Sequence, residues 1–222
     1  MAPNRRRSTL TPLYLIADLA TARRSDVDLR DVVAGFLAGG GRMVSLRTKG
    51  VDDRRAMEVG AGISGRVFAA GGVFFVHRRL DLAALLGADG VHLPSSGFRS
   101  RAVRSMLGAD ALHSRSCHSK SEFHYAIDDE AHFATLGPLF ESVSKPGYGP
   151  ALDNDEFREI CEDSETPVYA LGGVVPENVQ QCFDAGARGV AVVGGIVGAD
   201  SPRRATIRYR QAIEDARRAA KN

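Results

Sequence analysis

Two glycine pairs, Leu171-Gly172-Gly173 and Val193-Gly194-Gly195, each close a short apolar run. Glycine lets a backbone approach a ligand closely, and successive N–H groups at a strand end or helix start make a cradle for phosphate. A single such pair reads as a tight turn. Two pairs at the ends of the last two apolar runs point to a phosphate site built from Gly172, Gly173, Gly194 and Gly195. Cations that suit such a ligand stand elsewhere in the chain. Arg47-Thr48-Lys49 puts two of them on one side of an extended segment, and Lys145 sits in a long loop rich in glycine and proline, residues 137–150. A ligand clamp and a solvated strand end are equally good readings of Arg47 and Lys49 from spacing alone, and the same holds for His77-Arg78-Arg79. His118 directly follows an apolar run that ends near Ser116 and is the natural acid–base group, because imidazole titrates near neutral pH. Cys117 reads as core, since nothing beside it would favour the thiolate. No set of His, Cys, Asp or Glu has metal-ligand spacing.

These residues need elements to position them. Apolar runs occur at 13–17, 43–46, 73–76, 90–93, 111–116, 132–136, 167–171 and 189–193. Amphipathic segments follow them at 28–38, 52–70, 80–86, 99–107, 120–130, 153–161, 177–185 and 203–220. Ser119-Lys120-Ser121-Glu122 reads as a capping box, and Gly39, Gly71, Gly87, Gly108 and Gly186 as helix stops. Eight strand–helix repeats without a break in composition predict a single-domain α/β protein, a (β/α)8 TIM barrel spanning residues 12–222 behind a flexible tail, residues 1–11. An open doubly wound sheet would need a glycine-rich turn after its first strand, and Ala17-Asp18-Leu19-Ala20 offers none. In a barrel the strand C-termini carry function, which gathers Arg47, Lys49, His77, Ser116, His118 and both glycine pairs at one face.

The 222 residues are 44% hydrophobic and 25% charged, with a formal net charge of +2. That balance is that of an ordinary globular protein. The basic ends lack interleaved aromatics, which argues against nucleic acid. The apolar run at 13–17 is too short for a signal or a membrane span, so a cytoplasmic protein is expected. Three widely spaced cysteines give no disulfide framework.

Several of these stretches carry a resemblance. Leu13-Tyr14-Leu15-Ile16-Ala17-Asp18, Ser45-Leu46-Arg47-Thr48-Lys49, residues 87–93, Gly137-Pro138-Leu139-Phe140, Leu171-Gly172-Gly173-Val174 and residues 189–193 together resemble the thiamine phosphate synthase/TenI superfamily. The resemblance implies a barrel enzyme of thiamine biosynthesis that takes a small phosphorylated heterocycle, and a homodimer. Two activities occur there. A synthase joins a pyrimidine pyrophosphate to thiazole phosphate with magnesium. A TenI-type thiazole tautomerase moves a proton on a carboxythiazole phosphate without a metal or other cofactor. The synthase pattern has Gln-x-Arg-x-Lys on strand two, Asn-Asp-Arg after strand three and Gly-Gln-x-Asp after His-Leu. Here Ser45 replaces the glutamine, the second triplet is His77-Arg78-Arg79, and the last segment is Pro94-Ser95-Ser96-Gly97. Arg78 and Gly97 thus replace both magnesium-binding aspartates. His92-Leu93-Pro94-Ser95, residues 115–119 and Phe140-Glu141-Ser142 resemble the tautomerase branch, whose acid–base histidine corresponds to His118, although His77-Arg78 stand where that branch usually has Asn-Gly. The expectation is therefore a tautomerase-like isomerase. Its alternatives are a magnesium-dependent synthase and a non-catalytic binder of thiazole or thiamine phosphate.

Overall fold

The computed structural model describes residues 10–141 and 152–220. Strands β1 (Leu13–Asp18), β2 (Met43–Arg47), β3 (Val73–His77), β4 (Gly90–Pro94), β5 (Leu112–Cys117), β6 (Phe133–Leu136), β7 (Val168–Leu171) and β8 (Gly189–Val192) pair in parallel, each with the next. β8 closes the barrel on β1 through Leu13↔Val190 and Leu15↔Val192. The eight apolar runs become the eight strands because a parallel sheet covered on both faces must be hydrophobic on both.

Helices occupy the connections: α1 (Leu19–Arg24), α2 (Leu29–Ala38), α3 (Asp53–Ala69), α4 (Leu80–Leu85), α5 (Ser100–Leu107), α6 (Lys120–Asp128), α7 (Asn154–Glu162), a 3-10 turn (Pro176–Asn178), α8 (Val179–Asp184), α9 (Gly194–Val197) and α10 (Pro202–Ala219). Most start on a side-chain cap: Asp28, Asp52, Ser119, Asp153 and Ser201 each accept a backbone N–H from the first turn. The expected helix over 177–185 is split, its first turn tightened into the 3-10 form, where the Asn178 side chain bonds the N–H of Val175 and the carbonyl of Gly173. Two elements were not expected, α1 and α9.

Two cores result. The larger lies between strands and helices, and the smaller fills the barrel with Tyr14, Ile16, Met43, Val73, Phe75, Leu112, Phe133, Tyr169 and Ala191. Within the barrel Tyr14, Phe75 and Phe133 meet edge-on at 5.4–5.8 Å between ring centroids, a favoured aromatic arrangement. Leu10 packs against this interior, and the Tyr169 hydroxyl donates to the Thr11 carbonyl at 3.0 Å. The last two residues of the expected tail are thus held at the barrel's lower end. Residues 1–9 and the greater part of the 137–150 loop, Lys145 included, lie outside the described residues.

Candidate functional site at the C-terminal mouth of the barrel

Strand alternation assigns the inward positions. On β2 these are Met43, Ser45 and Arg47; on β3 Val73, Phe75 and His77; on β5 Leu112, Ser114 and Ser116. Above the aromatic layer the interior turns polar on the β1–β6 side, with Asp18, Ser45, Arg47, His77, His92, Ser114, Ser116 and Thr135. The β7–β8 side stays apolar.

Asp18 is nearly sealed from solvent and serves two partners. Its Oδ1 accepts the Thr21 N–H at 2.7 Å, capping α1, and its Oδ2 pairs with Arg47. Burial pushes the Asp18 carboxyl up, but the Arg47 guanidinium and Thr21 N–H outweigh it and hold the group below its ordinary value. The ion pair fixes Arg47 at the mouth. Lys49, two residues on, is past the strand end and fully in solvent.

His77 and His92 lie on adjacent strands with ring centroids 4.4 Å apart. His92 Nδ1 is 2.7 Å from the Ser114 hydroxyl. His77 Nε2 is sealed from solvent without a hydrogen-bond partner, as are the hydroxyls of Ser45 and Thr135. Burial and the nearby Arg47 push His92 down to about 3. Burial, His92, Arg47 and Arg78 push His77 well below the ordinary imidazole range. Both rings are neutral at physiological pH. The next residue, Arg78, is left-handed (φ 63°), a conformation costing a side-chain-bearing residue about 1–3 kcal/mol. A one-residue turn enforces it: the Arg79 N–H donates to the His77 carbonyl at 2.7 Å and the Arg78 N–H to the His92 carbonyl at 2.9 Å. Arg79 is drawn outward into ion pairs with Asp53 and Asp81 at 2.7 and 2.6 Å. Arg78 makes no ion pair among the described residues.

His118 follows β5 and is held from α6. One carboxylate oxygen of Glu122 accepts the His118 backbone N–H at 2.7 Å and lies 3.0 Å from His118 Nδ1. The expected capping box is therefore half formed. Ser119 caps Glu122 N–H at 3.3 Å, but the Glu122 carboxylate turns to His118. The Ser95 hydroxyl, from the β4 loop, also reaches Glu122. Burial raises the Glu122 carboxyl, and Ser95 and His118 more than offset it, leaving an ionised acceptor. A proton on Nδ1 would bond this carboxylate and leave Nε2 as the accepting nitrogen. Cys117 is buried, its thiol pushed up to about 12 by burial, so it is no nucleophile.

A pair that sequence reasoning missed stands behind this wall. Arg115 points outward from β5, is fully buried, and bonds Asp129 through Nε at 3.1 Å and a terminal nitrogen at 2.5 Å. Its remaining hydrogens go to the carbonyls of Pro94, Ser95 and Phe98. Arg115 thus pins the β4 loop that carries Ser95. The partners are fourteen residues apart across a helix, and no local pattern marks them.

The two glycine pairs meet at the mouth. Gly172 (φ 95°) and Gly173 (φ 63°) are left-handed, and a Cβ on either would come within 2.5–2.7 Å of Pro138, Phe140 or Glu141 in the β6 loop. That loop runs along the β7 end through Leu139 N–H to Leu171 O and Phe140 N–H to Gly172 O. Gly194 and Gly195 open α9, and a Cβ on Gly195 would overlap the Tyr209 hydroxyl. Packing alone therefore accounts for glycine at 172, 173 and 195.

In such a barrel the polar strand C-termini are where enzymes of this fold place their active sites. Residues 13–196 match the family model described as "Thiamine monophosphate synthase". The thiamine-phosphate synthase of Natronomonas pharaonis is 35% identical over 187 residues, 83% of this chain and 87% of that one. That of Roseiflexus castenholzii is 32% identical over 194 residues, covering 87% and 84%. Among solved structures, the thiamine phosphate pyrophosphorylase from Pyrococcus furiosus superposes with a TM-score of 0.81 at 26% identity, covering 95% of this chain and 98% of that one. The chain belongs to the thiamine monophosphate synthase family, a family of thiamine-biosynthesis enzymes.

The magnesium that a synthase uses does not fit the residues present. Arg78 and Gly97 offer no carboxylate where the resemblance expects aspartates, and the inward-facing carboxylate of β1, Asp18, is committed to Arg47 and the α1 cap. Among the described residues no three His, Cys, Asp or Glu side chains converge.

Proposed function

We propose that this chain forms thiamine phosphate by joining a pyrimidine carried on pyrophosphate to a thiazole phosphate. The observation that carries this reading is its match, over more than four-fifths of both chains, to relatives named thiamine-phosphate synthase. It displaces the tautomerase expected from the sequence. The backbone N–H groups at Gly173 and Gly194–Gly195 would cradle the thiazole phosphate, with Gly172 shaping the turn and Lys145 approaching from its loop. Arg47, Lys49 and His77 line the opposite rim for the pyrimidine partner, with Ser116 between them and His118. The test is direct. Purified protein is incubated with both precursors, with and without magnesium, and thiamine phosphate is measured by chromatography. No product under either condition overturns the reading.

A second reading has its own observation in the His118–Glu122 pair, an imidazole within hydrogen-bond distance of a carboxylate. In that case the enzyme aromatises a carboxythiazole phosphate by a proton shift. Conversion of that compound in the same incubation, abolished by His118→Ala, distinguishes the two.

A further inference from the structure

We propose that the rim formed by the ends of β1 to β4 is a metal-independent anion subsite, in which Arg47 and Arg78, with the His77 imidazole beneath them, bind the substrate's second anionic group directly. The proposal rests on the synthase reading for the identity of that group, a pyrophosphate.

Arg47, Lys49 and Arg78 are cationic, and every nearby carboxylate has a prior commitment. Asp18 pairs with Arg47 and caps α1. Asp53 and Asp81 are taken by Arg79, and Asp52 caps α3 through the Arg55 N–H. A divalent cation placed here would face guanidinium groups and carboxylates that already have partners, whereas a polyanion would meet the donors that guanidinium presents best.

The neutral groups agree with the charges. His77 Nε2, buried and without a partner, faces the rim from β3. The groups facing the His77–His92 pair are Arg47 from β2, Arg78 after β3, Ser114 from β5 and the rings of Tyr14 and Phe133. None is anionic, so the imidazoles wait uncharged for a ligand that supplies negative charge or a proton donor. Arg78 is exposed, makes no ion pair among the described residues, and acts electrostatically on the His77 ring. Its neighbour Arg79 is locked away by two carboxylates, while Arg78 is held in a backbone conformation that glycine would adopt more easily.

That last fact gives a variant that separates binding from folding. Arg78→Gly removes the cation and relieves the backbone, so the protein should unfold at the same temperature or higher. Inorganic pyrophosphate is titrated into wild type and variant by calorimetry, first with excess EDTA and then with magnesium. The expected result is wild-type binding in EDTA that magnesium does not strengthen, and about tenfold weaker binding by Arg78→Gly. Pyrophosphate binding that requires magnesium, or that survives Arg78→Gly unchanged, overturns the subsite. Metal-free binding without thiamine phosphate formation would sink the synthase reading and leave the subsite standing. Synthesis that occurs only with magnesium, without metal-free binding, would do the reverse.

Discussion

At the scale of single residues, the mouth of this barrel is organised by pairs. Glu122 holds His118 by both its backbone and its ring, so Glu122→Gln should release the ring tautomer while the α6 cap on Ser119 persists. Nitrogen NMR of His118 reads this directly, and a spectrum identical to wild type would refute the tautomer assignment. Were proton transfer the reaction, His118→Ala should slow it about 100-fold or more, read as kcat on the carboxythiazole. The buried imidazoles set a pH dependence. Their folded pKa values lie below the unfolded value of about 6.5, so below that pH the unfolded chain binds more protons than the folded one. Stability should be fully present above about pH 6.5 and decline as pH falls towards the folded values, about 3 for His92. Urea midpoints between pH 7 and 5 should slope less in His77→Asn than in wild type. The imidazoles' neutrality was invisible in the sequence, where a ligand clamp and a solvated strand end are equally good readings of His77-Arg78-Arg79. Only the pairing of β3 with β4 brings one imidazole against another.

At the scale of elements, the strands were legible because both of their faces are buried and most are largely apolar runs, β5 (Leu112-His113-Ser114-Arg115-Ser116-Cys117) being the exception. α1 and α9 were not. α1 is six residues long and begins at Asp18, whose cap resembles a strand end in sequence. α9 is Gly194-Gly195-Ile196-Val197, a composition that argues for turn or strand, and Tyr209 of α10 packs directly over Gly195. Gly195→Ala should therefore cost about 1–3 kcal/mol of stability through overpacking, with much of the loss recovered by adding Tyr209→Phe. Denaturant unfolding of the three variants checks it, and an additive result would show that the hydroxyl is not the obstacle. The Arg115–Asp129 pair ties β5 to α6 and to the β4 loop. Breaking a buried pair from one side costs roughly 3–5 kcal/mol, so Arg115→Met should be among the most destabilising single changes that leave the mouth's own residues intact. The same urea series measures it.

At the scale of the whole molecule, the alternation of eight apolar and eight amphipathic segments left few choices but a closed barrel. The assignment of activity was less legible, because it rests on side chains that differ from family patterns at Ser45, His77, Arg78 and Gly97 while the frame is unchanged. The proposed binding is a property of this whole frame, since the proposed phosphate cradle draws on β7 and β8 and the proposed cationic rim on β2 and β3. Thiamine phosphate should consequently raise the unfolding midpoint of the entire domain. At 100 times its dissociation constant it adds about 2.7 kcal/mol. Thermal scans with increasing ligand read this, and an unmoved midpoint would count against a thiamine phosphate site.

The closure of β8 on β1 has a consequence for how the chain is made. Leu13 finds its partner Val190 only near the end of synthesis. At roughly 5–20 residues per second, the ribosome takes on the order of ten to forty seconds to reach it. Throughout that interval one edge of β1, apolar on both faces, offers unpaired N–H and C=O groups to any other nascent strand. The vulnerable period of this protein is thus its own translation, and slowing elongation after β7 should increase aggregation even though the finished fold has no edge at all.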